Sequence, residues 1–337
     1  MSDSAMSVID VGKYRTKPVI DKTEWDSFFG ENGFPLHSLE FVQRIVFERG
    51  ILSTVRPEAW KFLTGYYPWR STYDERLIID SVRRKHYQDL NAVFKKILPL
   101  LEMEQKDFIE AKYIIGCDLK RMQDKDSEGN VFVNKSQLEN LLLLNYVSNS
   151  NSDYQPGFHE MMMLMHLILD QEYETFWIFQ FFHQRTGYSC LLNCGVQKNL
   201  QMLRDIITIL DPALSAYLDE KSIRTLDFLT PWFCLFFLRT FKYFDDVWRL
   251  WEVFLTMEPC KNFQVLIAFC ILQRVKHQIM QESLDTTAIL QVCNDMTDLD
   301  ADELIFDACC AYSTIVAKAV CNEDIPLFHS VCSLNSG

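Results

Sequence analysis

The chain has 337 residues, 48% of them hydrophobic and 23% charged, enough apolar material for one large domain or two modest ones. Its formal net charge is −13, and no dense Lys/Arg stripe interrupts that excess. The balance argues against nucleic-acid binding, which needs a basic patch on the phosphates, and disfavours direct attachment to anionic membranes.

Only 11 glycines and 10 prolines occur, and strand-type alternation is scarce, so the expected class is all-α. Residues 1–37 read as a loosely ordered arm. Within it, "KTEWDSFF" is a candidate docking segment, because Trp25, Phe28 and Phe29 are costly to leave in water. "LEFVQRIVFERG" is helical in period and ends at Gly50, a C-cap signal. "VRPEAWKFLTGYY" starts a helix with Pro57 in its first turn, where a missing N–H costs little. "DERLIIDSVRRKHYQDLNAVFKKILPLL" reads as one or two amphipathic helices, and "IEAKYIIGCDLKRM" as a shorter one.

A polar loop, "DKDSEGNVFVNKS", precedes "QLENLLLLNYV", for which Ser136 and Glu139 have capping-box spacing. After "SNSNSDYQPG" come two strongly apolar helices, "FHEMMMLMHLILD" and "YETFWIFQFFHQR", expected deep in the core. "NLQMLRDIITILDPALSAYLDE", "LTPWFCLFFLRTF", "DDVWRLWEVFLT", "NFQVLIAFCILQRVKHQIM" and "DADELIFDACCAYSTIVAKAV" continue the helical series. No fixed-period repeat supports a solenoid.

Most enzyme signatures are absent. There is no phosphate-cradling glycine motif and no G-x-S-x-G elbow. "HEMMM" begins like a zinc-protease helix, but Met163 stands where the second histidine belongs. His159 and His166 share a helix face without a third ligand, and the methionine run at helical spacing is core material. "DLDADE" near residue 300 lacks the EF-hand glycine. The 11 cysteines form no Cys-x-x-Cys pair, and no secretory apolar segment follows Met1. Free thiols in a reducing compartment, with no bound metal, are therefore expected.

Three stretches carry chemistry in combination. In "VRPEAWKF", Arg56 and Trp60 are four apart and neighbours on one helix face, a spacing that suits a structural arginine–indole contact. In "IIGCDLKR", Ile115, Asp118 and Arg121 recur every three residues, so Asp118 can hold the Arg121 guanidinium. Taken alone that pair is an ordinary surface ion pair, worth about 0.3 kcal/mol. In "DYQPG", Pro156-Gly157 suits a type II turn, with φ preset at proline and a positive φ tolerated at glycine.

The order of these stretches, Arg-x-x-x-Trp, Ile-x-x-Asp-x-x-Arg, then Tyr-x-x-Gly before a helix, resembles the TBC domain of Rab GTPase-activating proteins. "ETFWIFQFF" and "LTPWFCLFFLRTFKYFDDVWRLWEVFL" extend the likeness, with Trp232, Phe233, Asp246, Arg249, Leu250 and Trp251 in the family's order. The likeness covers about residues 40–320. It implies a two-lobed, many-helix TBC domain over residues 38–320, with lobes of about 38–200 and 201–320 and a tail at 321–337. It implies a partner, a Rab-type small GTPase in its GTP state, whose GTP and Mg belong to that partner. The chain would need no cofactor of its own, would be cytoplasmic, and would reach vesicle membranes through the GTPase.

By the same resemblance Arg121 is the arginine finger and Asp118 its orienting partner, while Arg56, Trp60, Tyr154, Gly157, Asp246, Arg249 and Trp251 are structural. The family's second catalytic group is a glutamine. Here Pro156 stands at that position, and Gln155 lies one residue early. Proline has no donor and cannot position water, so weakened activation is expected, with Gln155 as a possible displaced substitute. The competing readings are a Rab-binding adaptor impaired in catalysis, and a helical scaffold without GTPase contact. No motif supports an enzyme with a substrate of its own.

Overall fold

The computed structural model describes residues 18–123, 133–149, 154–186, 194–282, 284–294, 296 and 299–321. The polar loop at 124–132, residues 150–153 of the Ser/Asn stretch, residues 1–17 of the arm and the tail from 322 lie outside them.

Fifteen helices are found among the described residues: α1 Lys22–Ser27, α2 Leu39–Arg49, α3 Arg56–Leu63, α4 Tyr73–Glu104, α5 Lys106–Arg121, α6 Lys135–Ser148, α7 Phe158–Ile168, α8 Glu172–Arg185, α9 Cys194–Leu210, α10 Pro212–Glu220, α11 Thr230–Cys234, α12 Phe244–Thr256, α13 Phe263–Gln281, α14 Thr286–Asn294 and α15 Ala301–Cys321. The β structure among the described residues is two isolated bridges, so the all-α expectation holds.

The helices gather into two groups. In the first, α4, α5, α6, α7 and α8 pack on one another; in the second, α9, α10, α11, α13, α14 and α15 do so. Helix α12 packs on α2, α3 and the second group's α15, and its Trp251 meets Phe182 of the first group's α8. At the junction Trp60, Phe182, Phe236 and Trp251 make a continuous aromatic cluster. Each ring there is fully buried, which supplies both area and edge-to-face geometry to the join. Helix α9 begins before the expected lobe boundary at 200 and packs on second-lobe partners.

Three local expectations need correction. From Pro18 onward the arm is packed, not loose. Trp25 is fully buried against Phe28, Phe29 and Phe62, and Ile20 pairs with Ile51. The aromatic side chains that marked a docking segment dock onto this chain's own α3. The cap of α6 is Asn134, whose side chain accepts from Ser136 N and Gln137 N; the Asx geometry starts the helix two residues before the Ser136 box. The segment "LTPWFCLFFLRTF" is not one helix. It breaks after Cys234, where Phe236 and Phe237 adopt positive φ of 47° and 61°. Helix α14, in "TTAILQVCN", had no counterpart in the sequence reading.

Candidate functional site

Helix α5 places the first two residues. Its buried positions are Phe108, Ala111, Ile115, Asp118 and Leu119, a stripe at helical spacing that carries a carboxylate into the core beside Ile115. Burying a carboxylate is unfavourable unless its oxygens are bonded. Both oxygens of Asp118 are. Arg121 Nη2 donates to Oδ1 at 2.6 Å, and Tyr154 Oη donates to Oδ2 at 2.8 Å. The two partners differ sharply in environment: the Asp118 side chain is 5% exposed and that of Arg121 77%. One amine of the guanidinium is thus anchored while the rest faces outward from the end of the helix. The pair is more than the exposed i,i+3 contact the spacing alone describes, because a third residue holds the carboxylate.

The second element is the turn that starts α7. Phe158 N donates to Gln155 O at 3.0 Å, and Gly157 has φ 105° and ψ −12°, the type II turn expected of Pro156-Gly157. Pro156 is exposed and Gln155 half-buried. Glycine is required here on two counts. Its φ lies in the left-handed region, and a Cβ would stand 2.6 Å from Leu235 Cδ2. The turn therefore sits against the second lobe.

Beyond the turn, His159 Nδ1 lies 3.1 Å from Tyr154 Oη, and its Nε2 lies 3.5 Å from Glu160 Oε1. Burial, the main cause, holds the His159 imidazole below its ordinary pKa, against the opposing pull of Glu160 and Asp118. Burial, followed by the bond to Asp118, pushes the Tyr154 phenol up. The site at neutral pH thus holds a neutral ring, a protonated phenol and an exposed cation. His166, grouped with His159 by spacing, bonds instead to Thr175 Oγ1 at 3.0 Å. No cluster of three His, Cys, Asp or Glu suited to a metal is found among the described residues.

The remaining motif residues lie apart from this group and hold the frame. The Arg56 guanidinium does stack on an indole, but that of Trp248 in α12, 5.0 Å from the ring centroid, rather than Trp60. Its Nε also donates to the fully buried Glu252 at 2.7 Å. Trp60 instead packs on Phe182 and Trp251. Arg249 donates to Val46 O and Phe47 O at 3.1 and 2.6 Å, satisfying carbonyls at the end of α2. Asp246 Oδ1 accepts from Ala301 N at 3.0 Å, at the start of α15. Trp251 Nε1 donates to Phe236 O at 2.9 Å. Sequence reasoning missed Glu252, Glu160 and Arg239, whose partners lie far away along the chain.

A family model described as the Rab-GTPase-TBC domain matches residues 53–280, a span that contains Arg56, Asp118, Arg121, the 154–157 turn and Trp251. The chain belongs to the Rab-GTPase-TBC domain family. Among the relatives of this TBC domain, TBC1 domain family member 21 of Homo sapiens and that of Mus musculus are each 52% identical over 306 residues, covering 91% of this chain and 91% of the relative. GTPase-activating protein GYP7 of Yarrowia lipolytica is 27% identical, over 91% of this chain but 46% of its own length. The solved Ypt/Rab-GAP domain of Gyp1p superposes with a TM-score of 0.68 at 16% identity, covering 87% of this chain and 98% of that one. That likeness establishes the TBC fold. The matched span omits α1, α2, α14 and α15, although α2 and α15 both receive hydrogen bonds from Arg249.

Proposed function

We propose that this TBC domain engages a GTP-loaded Rab-type GTPase and presents Arg121 to the partner's nucleotide as an arginine finger. Its activating power would be reduced by Pro156 at the glutamine position. The observation that carries this reading is the state of Arg121: anchored at one amine by a buried, doubly bonded Asp118, yet exposed over most of its side chain. A planar, permanently charged fork held this way suits charge spread over transferring phosphoryl oxygens. GTP and Mg would be the partner's, and the chain would reach vesicle membranes through that GTPase. Relatives bearing the name GTPase-activating protein support the same activity.

Pro156 also favours a second reading, a GTP-state adaptor that binds without activating. Single-turnover GTP hydrolysis across a panel of GTP-loaded Rab GTPases separates the two. The finger reading expects weak stimulation that disappears in Arg121→Ala. Pro156→Gln should raise the rate by roughly 10²-fold, the scale of one preorganised donor. Strong stimulation that persists in Arg121→Ala sinks the finger assignment. Strong stimulation lost in Arg121→Ala but intact in Gln155→Ala shows that Pro156 is tolerated. For an adaptor, Arg121→Ala scarcely changes capture on immobilised GTP-locked GTPase, and no variant accelerates hydrolysis.

A further inference from the structure

Arg239 and Glu160 are 79 residues apart in sequence, yet the guanidinium closes on the carboxylate as a fork. Nε lies 3.0 Å from Oε2, and Nη2 2.7 Å from Oε1. Two parallel bonds fix the relative orientation of both groups. Glu160 belongs to the first turn of α7, immediately behind the Pro156-Gly157 turn. Arg239 lies in the 3-10 turn Leu238–Thr240 of the second lobe.

The same loop touches the site a second time, through the Leu235 side chain packed where Gly157 has no Cβ. Between these contacts stand Phe236 and Phe237, both in the left-handed region, a conformation costly for bulky side chains. Both rings are buried, and the Trp251 indole bonds the Phe236 carbonyl. Strain of this kind persists only where the surroundings over-determine it. The loop is therefore a stiff strut, held from behind by α12, with a steric and an ionic contact at its tip.

From Glu160 the path to the finger runs through the first turn of α7 and then through polar contacts. His159 is the neighbour of Glu160 in the first turn of α7, and its Nδ1 lies 3.1 Å from Tyr154 Oη. Tyr154 has one proton and gives it to Asp118 Oδ2, so the His159 Nδ1 must supply the proton for the contact with Tyr154 Oη. Asp118 Oδ1 then receives Arg121. Along this path His159 and Asp118 are buried, Glu160 and Tyr154 half-buried, and Arg121 is exposed.

We propose that Arg239 is a positioning residue for Arg121: the second-lobe loop 235–239 holds Glu160 and the Gly157 turn, and through His159 and Tyr154 fixes the carboxylate on which the exposed guanidinium rests. The inference rests on Arg121 being the group presented to a partner, but the positioning itself is measurable without one.

The test is side-chain NMR of the full chain, reading rotation of the Arg121 guanidinium about its Cζ–Nε bond, with the signal assigned by Arg121→Lys. The wild type should show slow rotation and resolved Nη signals. Arg239→Ala should speed rotation several-fold, Arg239→Lys should fall between, and the swapped pair Arg239→Glu with Glu160→Arg should restore the slow regime. A surface ion pair with no reach to the finger leaves Arg121 unchanged in all variants, and that result overturns the proposal. A parallel hydrolysis assay with GTP-loaded Rab should show Arg239→Ala lowering the maximal rate at unchanged half-saturation. A change in half-saturation alone means that Arg239 touches the partner directly, which also overturns it. If the NMR pattern appears but no variant stimulates hydrolysis, the positioning stands and the finger reading fails.

Discussion

Tyr154 Oη lies 2.8 Å from Asp118 Oδ2, across 36 residues of chain. The contact joins the helix that carries Arg121 to the turn that carries Pro156, and it is made by a half-buried phenol on a buried carboxylate. Tyr154→Phe keeps the ring's packing on Phe158 and deletes this bond together with the contact to His159 Nδ1. A hydrogen bond to a charged group is worth about 1.5–3 kcal/mol. The variant should lose about that much in urea unfolding, and any Rab-stimulated hydrolysis should slow by about tenfold or more. Unchanged stability and unchanged rate would show that Arg121 alone satisfies Asp118.

Arg56 and Glu252 make a second long-range pair, 196 residues apart, with the carboxylate at 0% exposure. Ile51 N also donates to Glu252, at 3.3 Å, but a buried carboxylate robbed of its cation is strongly destabilising. Arg56→Met should cost about 3–5 kcal/mol, whereas replacing both members by apolar residues should cost far less. Chemical denaturation of the single and double variants reads the difference.

Gly157→Ala combines a left-handed backbone with a collision against Leu235. The backbone alone costs an L-residue about 1–2 kcal/mol. Pairing Gly157→Ala with Leu235→Ala should recover the steric part and leave the backbone part, while Pro156→Ala should change stability little. Thermal unfolding of the three variants tests this partition.

His183 lies half-buried among Phe158, Phe179, Phe182 and Phe236, and desolvation of the ring there pushes its imidazole down to about 4 from an ordinary value of 6.5. Above that ordinary value both folded and unfolded chains carry a neutral ring, and its contribution to stability is complete. As pH falls below it, the unfolded chain takes the proton first, so stability declines until the folded ring protonates near pH 4. Integrated over that window the loss is about 3 kcal/mol. His183→Gln should flatten the decline between pH 6.5 and 4; an equally steep profile in that variant would assign the loss to other groups.

The site was legible in part. The amphipathic phase of α5 showed that Asp118 and Arg121 lie near one another, and proline followed by glycine specified the turn. Arg56 was rightly expected against an indole, yet the local spacing selected Trp60, while packing supplied Trp248 from α12. His159 and His166 were placed on one helix face without a metal, and packing gives them separate partners, Tyr154 for His159 and Thr175 for His166. Arg239 had no local signal at all. Its segment was read as continuous helix, and only the left-handed Phe236 and Phe237 turn it back toward Glu160.

By itself the sequence determined the helical class, most helix positions, the turn at Gly157 and the absence of a glutamine at position 156, because periodicity, φ preference and side-chain identity act within a few residues. Tertiary structure alone decided that Asp118 is buried and doubly bonded, that Arg121 remains exposed, and that a second-lobe arginine closes behind the site. Those outcomes depend on which distant carboxylates and cations packing brings within 3 Å of one another, for a group taken out of water must find its partner wherever the chain delivers one.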